Sequence, residues 1–272
     1  MRKGLVVVIV LSASFCLAQQ TCDQIVPQLM EVAGVNDTLS SFPELAKQSA
    51  EAELAKQPEL PAADKDVIVS AAIRGIDEQR LHSNVSKFLI QNCTSGTFAT
   101  VLQQLQAPLP QKMRTYEAYT QNPQGVTEMR QYLSTLQDHP PAQARIQLLQ
   151  ELVSETKGAD FLTDMIVASS SAIASGLTGK EPSSQELAQL RSQVSASAAN
   201  QMLAMSVFTY RNAPEDELSQ YVAMYKAAPF QQFDDALSKA FVQGFSEELR
   251  HVGEELRKAV DAKQPTKPSA KS

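Results

Sequence analysis

The stretch 212–249, NAPEDELSQYVAMYKAAPFQQFDDALSKAFVQGFSEEL, has an apolar residue every three or four positions on either side of a joint at Ala228-Pro229. This spacing is typical of α-helices that bury one face. Since the residue before a proline is pushed out of the helical region, the joint predicts a break between two helices. We expect Asn212 to cap the first helix, with Pro214 in its first turn. The apolar positions are Leu218, Tyr221, Val222, Tyr225, Phe230, Phe233, Leu237, Phe241, Phe245 and Leu249.

The same helical spacing continues through most of the chain. Sustained alternation of apolar and polar residues is missing, as are the Asn-Gly and Asp-Gly pairs typical of β-hairpins, and ten glycines in 272 residues are few. The Ser-x-x-Glu sequences Ser41–Glu44 and Ser183–Glu186 match capping boxes and predict two helix starts. The sequence therefore predicts an all-α fold, a multi-helix bundle of about 10–12 helices.

An earlier part of the chain resembles the opening stretch and indicates two tandem related helical units. An offset of 120 positions also brings Phe88 onto Phe208. The proline joints of the two segments correspond if the second joint contains one extra residue. The alternative is that any two amphipathic helices align in this way. With a boundary at the prolines near 140, the predicted units are 19–139 and 140–256. The stripe Phe98, Val101, Leu102 and Leu105 falls on Leu218, Tyr221, Val222 and Tyr225.

The N-terminus has the pattern of a signal peptide. A basic start with Arg2 and Lys3 precedes an apolar run from Leu5 to Phe15, and Ala18 supplies the small residue expected before cleavage. We therefore predict that 1–18 is a signal peptide and that the protein is exported, either periplasmic or secreted. Later segments offer no stretch of ~20 apolar residues, so a transmembrane segment is not expected.

Charge argues against nucleic acid as a partner. Cleavage removes two basic residues and leaves 22 against 30 acidic ones, a net charge of −8. Such a chain has no general electrostatic reason to bind nucleic acid. The segment 257–272 carries a local net charge of +4 with two prolines, and we expect a disordered basic tail. A docking arm for an anionic surface is the alternative.

Two of the three cysteines, Cys22 and Cys93, remain after the predicted cleavage removes Cys16. In an oxidising compartment two cysteines are expected to pair, and we predict a disulfide between them. In the chain-entropy model, closing this loop would stabilise the folded protein by on the order of 4 kcal/mol. Two free buried thiols are the alternative.

The opening stretch also contains a progression of Glu-Leu, an aromatic residue and a small residue before proline. It consists of Glu217-Leu218, Met224-Tyr225, Ala228-Pro229 and Phe233. It resembles the C-terminal helical module of an exported bacterial family catalogued as domain of unknown function 2059. Gln231 and Gln232 stand where that family has a glycine, and Phe233 where a lysine is usual. The resemblance implies an exported helical domain and no particular activity.

Catalytic and metal-binding motifs are weak in this chain. Glu248 and His251 have the Glu-x-x-His spacing of di-iron bundles, but a second such pair is missing and the surrounding glutamates suggest a solvated face. Ser154 and Lys157 match Ser-x-x-Lys, yet the companion motifs of penicillin-recognising enzymes are missing, so a helix end before Gly158 is the simpler interpretation. We expect no catalytic residue, no metal site and no cofactor.

The functional prediction is accordingly broad. We expect a soluble, exported, non-catalytic protein of the cell envelope that binds an unknown protein or an apolar small molecule between helices. A hydrolase with an unrecognised site and a metal-binding helical bundle are the alternatives. Flexible methionines suit an adaptable apolar groove, although ordinary core positions explain them equally. The methionines in question are Met165, Met202, Met205 and Met224.

Overall fold

The computed structural model describes residues 20–262 except 137 and 139, and within them the chain forms twelve α-helices and no strand. The all-α bundle predicted from the sequence is confirmed. The helices are α1 (Cys22–Val32), α2 (Val35–Ala55), α3 (Ala62–Arg74), α4 (Glu78–Gln91), α5 (Ser95–Leu105), α6 (Pro108–Gln121), α7 (Pro123–Thr135), α8 (Gln143–Glu155), α9 (Gly158–Thr178), α10 (Ser184–Thr209), α11 (Glu215–Tyr225) and α12 (Ala228–Asp261).

The longest helix, α12, is the axis of the fold. It spans 34 residues and contacts α3, α4, α5, α9 and α11. Its apolar stripe, predicted from the sequence, is buried against the first half of the chain. Phe233 meets Phe98 of α5 edge to face with ring centroids 5.4 Å apart, and Phe245 meets Phe42 of α2 at 4.5 Å. Such perpendicular aromatic pairs stabilise a core beyond their buried area.

A second apolar cluster joins α6, α8, α10 and α11, with Met113, Leu149, Val207 and Leu218 all buried. Both clusters take residues from each side of the predicted boundary near Pro140. The two-unit division stays a prediction, but the packing joins the two parts of the chain through shared cores.

Glycines let other helix backbones approach α12 closely. A Cβ atom added at Gly253 would overlap the carbonyl oxygen of Ile173 in α9, and one added at Gly176 would overlap the carbonyl oxygen of Arg250 in α12. At Gly244, an added Cβ would lie 2.6 Å from Cγ2 of Val85 in α4. Backbone approach at such a crossing is possible only where a side chain is missing.

Two predicted helix starts are wrong. Residues 41–44 lie inside α2, which begins at Val35 after Gly34 in the left-handed conformation, and the Ser41 hydroxyl bonds the carbonyl of Thr38. Burial of Val35 and Leu39 against α1 favours the longer helix. Helix α11 is capped at Pro214 and not at Asn212. The capping box at Ser183–Glu186 is confirmed, with both reciprocal bonds present.

The two segments that align in the sequence share helix starts at a constant offset of 120 residues. Helices α5 and α11 each have 11 residues and start at 95 and 215, and α6 and α12 start at 108 and 228. The Gln111 side chain donates to the carbonyl of Leu105 (2.6 Å), as Gln231 does to that of Tyr225 (2.7 Å). The expected extra residue at the joint is absent. Proline simply occupies the first helical position in α6 and the second in α12, where the backbone N–H has no helical partner.

The predicted terminal segments fall mostly outside the described residues. The signal peptide at 1–18 and residues 263–272 of the basic tail lie there, whereas residues 257–261 form the last turn of α12. Among the described helices, α9 alone is long and apolar enough to cross a membrane, judged by length and composition. Core helices of soluble proteins pass the same test, so the expected lack of a transmembrane segment stays a prediction.

We predict that Gly253→Ala lowers the free energy of unfolding by about 1–3 kcal/mol, because the new methyl group must force two helix backbones apart. Gly96→Ala is the matched control. A Cβ at Gly96 meets nothing within 4 Å, so this change in α5 should leave stability equal or up to about 1 kcal/mol higher. Urea unfolding followed by circular dichroism measures both. Equal stability of the two variants would contradict the close crossing.

Candidate functional site

An apolar groove lies between α2, α3, α9 and α12 and has a volume of about 650 Å³. Its walls are apolar apart from Ser169 and Ser170, and Leu45 at its edge is 39% exposed. Cavities of this size and composition are typical of small-molecule sites. The apolar groove is lined by Phe42, Leu45, Ala46, Ala50, Ile68, Ala72, Ile76, Met165, Ile166, Ser169, Ser170, Ile173, Leu249, Val252 and Leu256.

Helix α9 creates the apolar groove because its sides are left uncovered. Only 28% of its most apolar 18-residue window is buried, although it packs closely on α12. Its other flank forms a second cavity of about 650 Å³ with α10 and α12. Charged residues line that cavity, and three of them have partners: Arg191 pairs with Asp164, and Glu181 accepts a hydrogen bond from the hydroxyl of Ser175. The apolar groove is therefore the better candidate for an apolar ligand.

A smaller cavity of about 230 Å³, the Asp234 pocket, lies where the start of α9 meets α10, α11 and α12. Its walls are largely aromatic and aliphatic, yet one carboxylate lies among them. The Oδ2 atom of Asp234 is buried and has no hydrogen-bond partner. The Asp234 pocket is lined by Thr156, Gly158, Phe161, Met202, Tyr225, Asp234, Leu237, Ser238 and Phe241.

Burial raises the pKa of Asp234 from 3.8 to about 7, with a further contribution from the neighbouring carboxylate of Asp235. Lys157 acts in the opposite direction, but its ammonium lies 2.6 Å from Asp235 and is engaged there. The site was missed in the sequence, although a signal was present. Asp234 lies four residues after Phe230 and three before Leu237, and so shares the apolar face of α12.

Glu248 is not part of a solvated face, which corrects the prediction from the sequence. Its side chain is 0% exposed and accepts hydrogen bonds from Arg80 Nε (2.6 Å), Arg80 Nη2 (2.8 Å) and the backbone N–H of Asp77 (3.0 Å). This bidentate ion pair joins α12 to the start of α4. It also raises the pKa of the Arg80 guanidinium, chiefly through the hydrogen bond to Glu248.

The Glu248–His251 pair, weighed from the sequence only as an alternative metal site, is accordingly not assembled. Glu248 is committed to Arg80, and His251 Nδ1 lies 3.2 Å from Glu254 Oε2. Within the described part of the chain, no group of three His, Cys, Asp or Glu side chains could hold a metal ion. The pattern of Phe241, Phe245 and Glu248 along one helical face was the signal for a buried carboxylate.

A carboxylate–tyrosine cluster ties α6 to α10 and α11. Glu117 Oε1 accepts hydrogen bonds from the hydroxyls of Tyr210 (2.6 Å) and Tyr221 (2.8 Å), and Tyr225 lies 3.2 Å from Tyr221. Burial and the Glu117 carboxylate raise the pKa of Tyr210 and Tyr221 well above their ordinary value. The hydroxyls therefore stay protonated as donors, and the cluster is a structural hydrogen-bond network.

The other motifs have structural roles. Ser154 and Lys157 lie at the end of α8, where Lys157 adopts a left-handed turn (φ 49°) before α9. Met165 lines the apolar groove and Met202 the Asp234 pocket, whereas Met224 packs against both core clusters and Met205 is half-buried.

Cys22 and Cys93 lie at disulfide distance, with Cα atoms 5.9 Å apart, so the predicted pairing agrees with the structure. The bond links the first turn of α1 to the end of α4.

Comparison of the chain with protein-family models, with curated proteins and with solved structures found no match. The resemblance to domain of unknown function 2059 therefore stays a prediction, and function must be argued from the cavities.

We predict that Arg80→Met destabilises the protein by about 3 kcal/mol, because a buried carboxylate loses its charge partner. Changing both residues, as Arg80→Met with Glu248→Leu, should recover much of that loss, since no unpaired charge remains. Lys56→Met is the control, because it breaks an exposed ion pair with Glu53, in which the Lys56 side chain is 70% exposed, and should change stability little. Urea titrations test the set, and additive losses in the double variant would contradict this account.

The raised pKa of Asp234 predicts a pH-dependent stability. The folded state holds the proton of the Asp234 carboxyl more tightly than the unfolded chain does. The stability that this proton contributes is therefore fully present below about pH 4 and declines as the pH rises towards 7. In Asp234→Asn this decline should be absent. The free energy of unfolding of the variant, measured relative to that of the wild type, should therefore rise by about 2–3 kcal/mol from pH 5 to pH 8. Asp160→Asn, an exposed change on α9, serves as control in parallel urea titrations. Parallel pH profiles of wild type and Asp234→Asn would contradict the prediction.

Proposed function

We propose that the protein is an exported, non-catalytic binding protein that holds an apolar small molecule in the apolar groove. The groove itself carries the proposal. A partly open cavity of about 650 Å³ with only two hydroxyls in its walls is costly to leave in contact with water. An apolar ligand that covers Ile166, Ile173 and the exposed edge at Leu45 would remove that contact.

A binding role agrees better with the lining than a catalytic one. The hydroxyls of Ser169 and Ser170 are the polar side-chain groups of the groove, and its lining contains no His, Lys, Asp or Glu to activate them. Serine is a weak nucleophile without such a base. The lining equally lacks a charge that would bind an ionic ligand, so we infer that the part of the ligand inside the groove is uncharged.

Export is supported by two independent features of the chain. The residues at 1–18 have the charge and apolar pattern of a signal peptide, and Cys22 is joined to Cys93. Disulfides persist mainly in oxidising compartments outside the cytosol. We therefore place the protein in the periplasm or outside the cell.

The test compares two lysine substitutions in α9. Ile166 lines the groove, whereas Leu177 is 38% exposed on the same helix outside the lining. The fluorescent apolar probe N-phenyl-1-naphthylamine should bind the wild type and Leu177→Lys equally. It should bind Ile166→Lys about tenfold more weakly or worse, because a charge in the groove must be desolvated.

Native mass spectrometry of protein purified from its own host identifies the natural occupant. We expect a bound small molecule that is lost in Ile166→Lys and kept in Leu177→Lys, with both variants showing wild-type circular dichroism. Equal probe affinity in the two variants, or a wild type that binds no probe and purifies with a partner protein instead, would refute the proposal.

A further inference from the structure

We propose that the Asp234 pocket is a second binding site and takes a small organic ammonium ion. It lies near the start of α12, whereas the apolar groove lies near the end of that helix. The inference thus concerns a separate site and does not depend on the function proposed for the groove.

The carboxylate lacks a cation of its own. Oδ2 of Asp234 is buried with no hydrogen-bond partner, and buried polar atoms without partners are rare because each costs free energy. The cation that acts on the pKa of Asp234 is Lys157, and its ammonium is held 2.6 Å from Asp235. Among the residues that line the pocket, none is a lysine, arginine or histidine. A ligand is therefore the available source of positive charge.

The walls select an organic cation over a metal ion. Phe161 and Phe241 lie with ring centroids 5.9 Å apart, and the Met202 side chain completes the apolar lining. Aromatic faces attract ammonium groups, particularly where water is excluded. Ca²⁺ and Mg²⁺ need about six oxygen ligands, and the side chains of this pocket offer one carboxylate and the hydroxyls of Thr156, Tyr225 and Ser238. The volume of about 230 Å³ limits the ligand to one ring or a short alkyl group.

The charge state of the pocket makes the site dependent on pH. The groups that face Asp234 are Asp235 on its own helix, Lys157 before α9 and the neutral hydroxyl of Tyr225 at the end of α11, while α10 contributes the uncharged Met202. Burial and Asp235 raise the pKa of Asp234 to about 7. An ammonium ion binds the ionised carboxylate, so affinity should rise about tenfold from pH 6 to pH 8.

The experiment uses benzylamine, which is charged over this range, and benzyl alcohol as its uncharged counterpart. Methionine-methyl NMR reports the place of binding, because Met202 lines this pocket and Met165 lines the apolar groove. We expect benzylamine to shift the Met202 signal saturably, to leave the Met165 signal in place, and to bind about tenfold more tightly at pH 8 than at pH 6. Benzyl alcohol should bind more weakly and independently of pH.

Two matched variants separate a specific ion pair from general attraction. Asp234→Asn and Asp160→Asn each remove one negative charge, but Asp160 is exposed and outside the pocket lining. Benzylamine affinity should fall at least tenfold in Asp234→Asn and stay unchanged in Asp160→Asn, with both folded by circular dichroism. Equal losses in the two variants, an unshifted Met202 signal in the wild type, or pH-independent binding would overturn the proposal. None of these outcomes bears on whether N-phenyl-1-naphthylamine binds in the apolar groove, so the two proposals can fail independently.

Discussion

Close backbone contact between α9 and α12 is the constraint on which the rest of the structure depends. Gly176 and Gly253 leave no room for a Cβ atom at the crossing, so the two helices meet at backbone distance. Since α12 also contacts α3, α4 and α5, it carries much of the first core cluster, and its contact with α11 joins it to the helices of the second. The same crossing fixes α9 against α12, and the two flanks of this apolar helix line two cavities.

Two carboxylates on α12 show how the fold treats buried charge. Glu248 receives three hydrogen bonds from Arg80 and Asp77 and fastens α12 to α4. Asp234 lies nearer the start of the same helix, and its Oδ2 atom has no hydrogen-bond partner in an apolar pocket. The first arrangement compensates the cost of desolvation, whereas the second leaves it uncompensated in the free protein. Glu248 thus has a structural role, whereas the unpaired carboxylate oxygen of Asp234 is the observation on which the proposed ammonium site rests.

The local features of the chain were the most predictable from its sequence. The apolar stripe of α12, the proline joints and the capping box at Ser183 depend on neighbours within a few residues. The similar capping box predicted at Ser41 is wrong, because α2 begins earlier, where Val35 and Leu39 are buried against α1. Glu248 was misjudged and Asp234 was missed for a related reason. An acidic residue on an apolar face indicates burial, but its partner lies on a helix that is remote in sequence, as Arg80 is from Glu248.

The sequence by itself determined the all-α class, the helical faces, the cysteine pair and the export pattern, because these follow from periodicity, composition and short-range chemistry. Only the tertiary structure decided which helices cross at glycines, which charges find partners and where cavities remain. Those outcomes depend on contacts between residues far apart in the chain, such as Gly176 with Gly253 and Asp77 with Glu248. The apolar groove and the Asp234 pocket exist for that reason: each is a space between helices that no single segment encodes.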